Sequence, residues 1–480
     1  MPENANERKP ALAPGDTITL RLDSMAPGGE AVGRHHGLAV FVEYGAPGDL
    51  AQVRITRAAS SFARGAIETL IEPGRDRIEP PCPYFGACGG CQWQHLDYPA
   101  QVRAKSDILL QALARIGGTR VGSAEPALPM AHPLQPAEPT PWRYRGIAEY
   151  TVARPADAGG APALGFLRAH SDEVIPIADC LVQHPLNVEV LRATNDWLAR
   201  NGAGRLWLVR TRASFAEARA LVTLVFPAED PSAQPLAAHL LGAVSGVAGV
   251  SATIARDRRE QHRRLSRHIA GEQFIREHVG ERTYRISADT FFQVNPGQAE
   301  RLVEIVREMA RMQATETVVD AYCGAGTFLL ALAQQAGREI GIESNPAAVR
   351  DARANLRRAG RVNASVVHER VERALAMMAR QAAGPRKSRR GPAFACAPGS
   401  ARSADVVILD PPRQGCGREV IGAVAALRPR AVIMVSCDPA TLARDVALLV
   451  ERGYAARRAV VVDMFPHSWR VESVTLCERS

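Results

Sequence analysis

Short stretches of alternating apolar and polar residues fill the first part of the chain. Glycines such as Gly28, Gly33 and Gly45 separate them, and this pattern predicts strands joined by tight turns. The apolar positions fall within residues 18–22, 39–42, 53–55 and 66–71. We therefore expect a small all-β, OB-like barrel over residues 14–73, whose arginines and histidines form a basic face suited to single-stranded nucleic acid.

The middle of the chain mixes helical and strand-like spacing. Residues 98–117 have apolar positions at helical intervals and end in two glycines, which predicts a helix. Residues 121–141 are rich in proline and predict a loop or an extended arm. Strand-like pieces follow at residues 148–152, 164–167 and 206–209. This pattern predicts a central α+β domain over residues 74–272.

From Thr317 onward, apolar strands alternate with amphipathic helices. That texture is typical of a parallel sheet covered by helices on both faces, so we expect an α/β, Rossmann-like domain over residues 273–480. Residues 382–403 interrupt the pattern, because they are rich in Gly, Pro, Ala, Ser and Arg and contain no acidic residue. We expect a surface insertion there, with charges that are either solvated or in contact with RNA.

Length and charge narrow the class of protein. At 480 residues the chain is long enough for several domains, and it contains no apolar run that predicts a membrane span or a signal peptide. We therefore expect a soluble, cytoplasmic protein. The formal net charge of +9 suits a polyanionic partner, of which nucleic acid is the usual one. The sequence shows no sign of an obligate protein partner.

One strand-to-helix junction has the features of a nucleotide cofactor site. A predicted strand ending near Asp320 runs into the glycine turn Cys323-Gly-Ala-Gly-Thr327, which brings backbone amides close to a ligand. Glu343 ends the next strand, where an acid can bind ribose hydroxyls, and Asp410 ends a later one. The third glycine of a dinucleotide fingerprint is missing, so this combination favours S-adenosylmethionine over a nicotinamide cofactor.

Cysteine usage points to a metal site. Cys82, Cys88 and Cys91 lie within ten residues of one another, and Cys180 provides a possible fourth thiol. Four thiolates bind either zinc or an iron–sulfur cluster, and the spacing alone does not choose between them. The total of nine cysteines is odd and five are scattered, which argues against a secreted disulfide framework.

Cys437 lies where an apolar strand ends and a helix begins. Asp438 is a good helix cap and Pro439 fits the first helical turn, so the thiol faces the positive end of the helix dipole. That position favours the thiolate and predicts a nucleophile. A free cysteine that packs as a small apolar side chain is the competing interpretation.

Taken together, these motifs resemble those of the bacterial RNA uracil-5 methyltransferases, in particular the members that modify large-subunit (23S) ribosomal RNA. The resemblance covers nearly the whole chain, and the N-terminal barrel resembles a TRAM domain. The matching segments are Pro47-Gly-Asp49, the cysteine set, Phe291-Phe-Gln-Val-Asn295, the glycine turn, Asp410-Pro-Pro-Arg413, Ser436-Cys-Asp-Pro439 and Phe465-Pro-His-Ser-Trp-Arg-Val-Glu472.

The resemblance implies a role for each of these residues. Cys437 becomes the nucleophile and Glu472 the general base. The predicted S-adenosylmethionine site consists of Gln293, Tyr322, Thr327, Glu343 and Asp410. The predicted four-iron four-sulfur (4Fe-4S) site consists of Cys82, Cys88, Cys91 and Cys180.

The family's chemistry follows from the reactivity of uracil. Carbon 5 is too weak a nucleophile to take a methyl group unaided, and a thiolate added at carbon 6 activates it. A base must then remove the hydrogen on carbon 5. Three alternatives stay open: the same chemistry on another ribosomal uridine or on tRNA, an RNA-binding protein with a vestigial methyltransferase domain, and a nicotinamide dehydrogenase.

Overall fold

The structure, a computed structural model, describes residues 12–130, 140–154, 160–257, 260, 264–333, 335–382 and 404–480. The predicted insertion at 382–403 lies outside the described residues except for its first residue, and the predicted loop at 121–141 is described except for residues 131–139. Among the described helices, none is long and apolar enough to cross a membrane.

The first strands form a closed barrel, as the alternating pattern predicted. Its strands are β1 Thr17–Met25, β2 Ala31–His35, β3 Leu38–Glu43, β4 Leu50–Ala58 and β5 Phe62–Glu72. They are arranged in the order β1-β2-β3-β5-β4. Asp49, at the start of β4, is fully buried and accepts hydrogen bonds from the amides of Ala46 and Gly74 and from Arg77. The carboxylate thereby fixes the end of the barrel to the chain that leaves it.

A helix and a short strand follow the barrel: α1 Tyr98–Arg115 and β6 Ser123–Ala124. The side chain of Asp97 caps α1 by accepting from the amide of Ala100, and Pro99 occupies the first turn. The buried face of α1 contains Ile108, Leu109 and Leu113, so the structure has a helix where the apolar spacing predicted one.

The middle of the chain forms a seven-stranded sheet with two helices. Its elements are β7 Ile147–Ala153, β8 Ala163–Leu167, β9 Val174–Pro176, α2 Pro185–Asn201, β10 Leu208–Ser214, β11 Arg219–Phe226, α3 Ala233–Ala243, β12 Val247–Ile254 and β13 Arg267–Gly271. The strand order is β13-β12-β11-β10-β7-β8-β9. Both helices pack on this sheet in one apolar core, which agrees with the α+β pattern.

A strand pair and a helix lead into the last part of the chain, which is built on an eight-stranded sheet. The elements are β14 Phe274–Val279, β15 Arg282–Ser287, α4 Pro296–Ala310, β16 Thr317–Ala321, α5 Thr327–Leu332, β17 Arg338–Glu343, α6 Pro346–Arg358, β18 Ala364–His368, α7 Val371–Ala382, β19 Val406–Leu409, α8 Gly417–Leu427, β20 Ala431–Ser436, α9 Pro439–Val450, β21 Tyr454–Val462 and β22 Glu472–Arg479. The sheet order is β18-β17-β16-β19-β20-β22-β21-β6.

Strands β16 to β20 run parallel, and β22 runs antiparallel to both of its neighbours. The order reverses between β16 and β19, which creates the topological switch point at which open α/β sheets bind their ligands. The strands in the middle of this sheet are buried on both faces, as their continuous apolar runs require.

The segment between the barrel and the central sheet packs with the C-terminal sheet. Helix α1 contacts α9 and β21, and β6 pairs in parallel with β21. Residues 98–128 therefore lie against the last part of the chain, although the sequence places them in the predicted segment 74–272. Local composition does not show which of two sheets a helix joins, so the predicted boundaries at 73 and 272 stay a prediction.

Candidate active site

Two acidic residues flank the switch point of the C-terminal sheet. Asp320 lies in β16 and Asp410 directly follows β19, and the amide of Asp410 donates to the carbonyl of Ala321 at 3.3 Å. Because parallel strands end at one edge of a sheet, both carboxyl groups lie where the fold binds ligands. The structure thus brings Asp410 to the predicted edge and adds Asp320, which the sequence marked only as a feature of the turn.

The glycine turn between β16 and α5 is held from outside. Gly324 and Gly326 have φ angles of 54° and 87°, in the left-handed region that glycine adopts without strain. The amide of Gly324 donates to Oε2 of Glu343 at 3.0 Å. The other oxygen of Glu343 accepts from the amides of Ser344 and Asn345, each at 2.7 Å. Glu343 therefore fixes the turn against the end of β17.

The carboxyl group of Asp320 is buried, and among the described residues only one of its two oxygens has a hydrogen-bond partner. Its Oδ2 accepts from the amide of Leu329 at 2.9 Å, whereas Oδ1 has no hydrogen bond within the described structure. Burial, followed by the nearby Asp410 carboxylate, raises the pKa of Asp320 well above its ordinary value. A positively charged ligand near Asp320 and Asp410 would stabilise the buried carboxylate and offset the repulsion between the two acids. The residues present therefore fit a cationic cofactor.

The other predicted cofactor residues surround the same turn. Tyr322 is half-buried with φ of 67°, and Thr327 is the first residue of α5. Gln293 is buried in the stretch before α4, and the carbonyl of its neighbour Phe291 lies 3.7 Å from where a Cβ on Gly324 would be. Within the part of the chain that the structure describes, no hydrogen bond assigns a role to these three side chains, so their roles stay a prediction.

The pairing of β20 with β22 brings the predicted nucleophile and base together. In this antiparallel pair Ser436 faces Ser473. Cys437 follows Ser436 and Glu472 precedes Ser473, so continuing the same antiparallel register places them opposite each other at the edge of the sheet. Glu472 is 4% exposed and Cys437 is half-buried. A thiol and a carboxyl group thus meet beside Asp410.

The expectation that the helix dipole keeps Cys437 ionised was wrong for the unliganded chain. Burial, followed by the nearby carboxylate of Glu472, raises the pKa of Cys437 to about 12. The amides at the start of α9 do not compensate, because the side chain of Asp438 accepts from Ala440 and Thr441. In the unliganded protein Cys437 is therefore a thiol at neutral pH.

The two acids near Cys437 are also protonated more readily than usual. Burial raises the pKa of Asp410 to about 7. Burial and the neighbouring Asp410 raise the pKa of Glu472 well above its ordinary value. Nucleophile and base therefore both lie in an environment that penalises negative charge, so a bound cation would favour their ionised forms.

A cavity of about 1020 Å³ lies beside this edge, between the central sheet and the C-terminal sheet. The four predicted metal-binding cysteines all line it, as do Phe291 and Asn345 from the cofactor side and Ser468 and Arg470 from the β21–β22 connection. Cys437 and Glu472 do not line it. Three acids and five arginines contribute to the walls, which leaves an excess of positive charge: Glu149, Asp179 and Asp289, and Arg145, Arg210, Arg212, Arg264 and Arg470. Such a cleft suits a polyanion.

The four thiols interact electrostatically although they come from distant parts of the chain. Burial, with a smaller contribution from charge on the other cysteines of the set, raises the pKa of Cys91 to about 12 and that of Cys180 to about 11. In the described part of the chain, no three His, Cys, Asp or Glu side chains stand close enough to hold a metal ion. The donor set fits a thiolate-bound group, whereas the 4Fe-4S site itself is not shown.

The β21–β22 connection, residues 463–471, contains contacts that sequence reasoning missed. Lys105 and Asp463 form an ion pair at 2.6 Å in which both side chains are fully buried. Gln101 accepts from the amide of His467 at 2.8 Å. A signal was present, since Gln101 and Lys105 occupy the same helical face as Ile108 and Leu109. Polar residues on an apolar helix face indicate a buried partner.

The fold and this edge define an α/β enzyme that binds a nucleotide-type cofactor next to a cysteine and an acid. Residues 252–480 match the family model described as tRNA (Uracil-5-)-methyltransferase, and residues 12–67 match the TRAM domain. The chain is 32% identical to an uncharacterized RNA methyltransferase of Caldanaerobacter subterraneus, covering 97% of this chain and 98% of the relative. A second relative, from Gloeobacter violaceus, is 33% identical and covers 98% of both chains.

A solved structure shares the fold over nearly the whole length. The tRNA (uracil-54, C5)-methyltransferase of Pyrococcus abyssi, in complex with S-adenosyl-L-homocysteine, has a TM-score of 0.67. It is 23% identical, covers 96% of this chain and is itself covered completely. From the full-length relatives and the two matching models, the chain belongs to the RNA uracil-5 methyltransferase family. It is therefore an RNA-modifying enzyme with an N-terminal TRAM barrel.

The raised pKa of Cys437 gives a direct prediction for its reactivity. Because only the thiolate is alkylated, iodoacetamide labelling of Cys437 without ligands should rise about tenfold per pH unit between pH 7 and 9. Peptide mapping by mass spectrometry measures the labelling rate. A short unfolded cysteine peptide should level off near pH 9 and serves as the control. A plateau for Cys437 below pH 8 would contradict the prediction.

Proposed function

We propose that the chain methylates carbon 5 of a uridine in 23S ribosomal RNA, using S-adenosylmethionine as the methyl donor and a covalent adduct with Cys437. The observation that carries the proposal is the register of β20 and β22, which sets Cys437 opposite Glu472 beside the cofactor edge. A nucleophile and a base on the same pyrimidine ring need this proximity.

The residues at the switch point fit this donor. S-adenosylmethionine supplies a methyl group on a positively charged sulfur, together with a ribose and an adenine. Glu343, whose carboxylate holds the glycine turn, provides an acid for the ribose part. Asp320 and Asp410 provide buried negative charge, and Gln293, Tyr322 and Thr327 complete the proposed site.

Cys437 and Glu472 divide the chemistry between them. The sulfur of Cys437, after losing its proton, bonds to carbon 6 of the uracil and leaves negative charge on carbon 5 and the adjoining carbonyl. Carbon 5 takes the methyl group while the donor sulfur keeps the bonding electrons. Glu472 then removes the hydrogen from carbon 5, and the electrons of that bond re-form the ring double bond and expel the thiolate.

The raised pKa values of Cys437 and Glu472 indicate when these groups become active. Burial raises the pKa of Cys437 to about 12 and raises that of Glu472 well above its ordinary value, whereas turnover needs each group without its proton. The rate should therefore rise with pH, and a cationic donor bound beside Asp410 favours proton loss. Reactivity would then depend on ligand binding, which protects the free enzyme from unwanted alkylation.

RNA binding follows from the barrel, the cleft and the needs of the reaction. A uracil ring stacked in a helix exposes neither face, so the target nucleotide must be flipped out of the stack. The arginine-lined cavity suits the phosphates, and Phe291, 64% exposed at its wall, offers a flat surface for a base. The TRAM barrel adds a second contact to the same polyanion.

Ribosomal RNA is our first choice of substrate because the chain combines the barrel with the cysteine set. Transfer RNA is the second candidate, and two observations favour it. The matching family model is described by its action on tRNA, and the solved Pyrococcus abyssi relative acts on uracil 54 of tRNA. The catalytic geometry is the same for either substrate.

We further propose that Cys82, Cys88, Cys91 and Cys180 hold a 4Fe-4S cluster. Each thiolate of such a cluster binds a different iron, so the thiols stand further apart than the ligands of one zinc ion. The observation behind this proposal is that the four thiols line one cavity although they come from distant parts of the chain. No catalytic step is assigned to it.

The proposed mechanism predicts opposite fates for two variants. Cys437→Ala should abolish methylation while leaving donor binding within about threefold of wild type, because the thiol acts only on the uracil. Glu472→Gln should accumulate a protein–RNA adduct that survives denaturing electrophoresis. Cys477→Ala, which removes a buried thiol in β22, is the control and should turn over. Full turnover by the Cys437→Ala variant would refute the mechanism.

The substrate assignment predicts one lost modification in cells. Deleting the gene should remove a single 5-methyluridine from 23S ribosomal RNA and leave tRNA unchanged, as measured by mass spectrometry of nuclease digests. Complementation with the Cys437→Ala variant should not restore the lost site. Loss from tRNA alone would establish the second candidate instead, and no loss from either RNA would support a vestigial domain.

The cluster proposal predicts a brown protein after purification without oxygen, with broad visible absorbance and about four irons per chain. Cys88→Ala should lose most of this absorbance, whereas Cys416→Ala, which removes a half-buried thiol outside the set, should keep it. A colourless, zinc-loaded wild-type protein from the same preparation would be evidence for the alternative metal.

A further inference from the structure

The segment that precedes Glu472 is held by the N-terminal part of the chain. β21 ends at Val462 and β22 begins at Glu472, and these two residues pair across the strands. The connection between them starts at Asp463, whose carboxylate bonds to Nζ of Lys105 at 2.6 Å. The same Nζ donates to the carbonyl of Phe465 at 2.9 Å. Lys105 thus binds the connection at two points.

Gln101, one helical turn before Lys105, holds the middle of the connection. Its Oε1 accepts from the amide of His467 at 2.8 Å, and its Nε2 lies 3.2 Å from Nδ1 of the same histidine. Nε2 also donates to the carbonyls of Trp93 and Leu96, each at 3.0 Å. Gln101 is completely buried, so each of these bonds replaces one to water.

His467 adopts a backbone conformation that needs such support. Its φ is 65°, in the left-handed region that is unfavourable for a residue with a side chain. The ring stacks on Trp142 with centroids 3.7 Å apart, and the carbonyl accepts from the amides of Gln92 and Trp93. A strained residue persists only where its surroundings over-determine it. Gln101 contributes to that constraint, because it bonds to the backbone amide of His467 and also to its ring.

We propose that Lys105 and Gln101 are positioning residues for the base: they fix the β21–β22 connection so that Glu472 emerges opposite Cys437. The proposal rests on the proposed function of Glu472. Neither residue lies at the cofactor turn or belongs to β20 or β22. Among the described contacts, the hydrogen bonds by which the two side chains approach the chemistry are those to the connection, five residues from His467 to Glu472, although α1 as a whole also packs against α9.

A purely structural role would give a different result. If Lys105 and Gln101 only stabilised the fold, their loss would reduce every activity in proportion to the folded fraction. If they position Glu472, the loss falls on the single step in which the base acts. Attack by Cys437 and methyl transfer would continue, and removal of the hydrogen from carbon 5 would slow.

The test measures two rates in one single-turnover experiment on RNA, namely formation of the covalent adduct and its resolution to methylated product. For Lys105→Met and Gln101→Leu we expect adduct formation within about threefold of wild type. Resolution should be about 10- to 100-fold slower, the size expected for a catalytic group misplaced by about 1 Å. The adduct should accumulate, as it should for Glu472→Gln.

Arg430→Met provides the matched control. Arg430 pairs with Glu316 at 2.6 Å and also bonds to the carbonyl of Ala310, at the far end of the same sheet from Cys437. Its loss should lower the melting temperature and leave the ratio of the two rates unchanged. Lys105→Met strands a buried carboxylate, so if it does not fold, Gln101→Leu, which removes no charge, decides the result.

Normal resolution by folded Gln101→Leu would overturn the proposal, and so would an equal loss of both rates in the two variants. These outcomes are distinct from failure of the proposed function, in which wild type and Glu472→Gln form no adduct at all. A slow resolution step confined to the two variants, with Arg430→Met normal, supports positioning.

Discussion

The register between β20 and β22 is the constraint on which the proposed active site depends. A slip of one residue would turn every side chain of β22 to the other face and move Glu472 away from Cys437. This register is set by apolar side chains such as Val474 and Leu476, which are buried in the same core as Ile433. Core packing therefore determines how the proposed nucleophile and the proposed base are placed relative to each other at the sheet edge.

The burial that fixes this geometry also disfavours charged side chains there, because a buried charge loses its contact with water. Cys437, Asp410 and Glu472 lie within one partly desolvated region, and each has a raised pKa. The pKa of Asp320, on the other side of the switch point, is also raised. Each of these groups therefore loses its proton less readily than usual in the unliganded protein, and a cationic donor bound beside them would favour their charged forms. Perturbed acids gathered at the ligand edge of an α/β sheet are what a site for such a donor requires.

Local patterns predicted those parts of the molecule that depend on neighbours in sequence. The barrel, the glycine turn with Glu343, and the capped helix after Cys437 each follow from a few adjacent residues, and the barrel is confirmed. The pKa of Cys437 was predicted in the wrong direction, because burial by residues distant in sequence exceeds the effect of one helix end. The Lys105–Asp463 pair spans 358 positions, so no local pattern could identify the partner.

Helix α1 and the cysteine loop that precedes it both contact the segment that leads to Glu472. The amides of Gln92 and Trp93, directly after Cys91, donate to the carbonyl of His467, and α1 holds the same peptide from the other side. The cysteine loop and the segment leading to Glu472 therefore form one packed unit. Backbone hydrogen bonds therefore join the loop that contains the proposed cluster ligands to the segment that contains the proposed base, so the position of one constrains the position of the other.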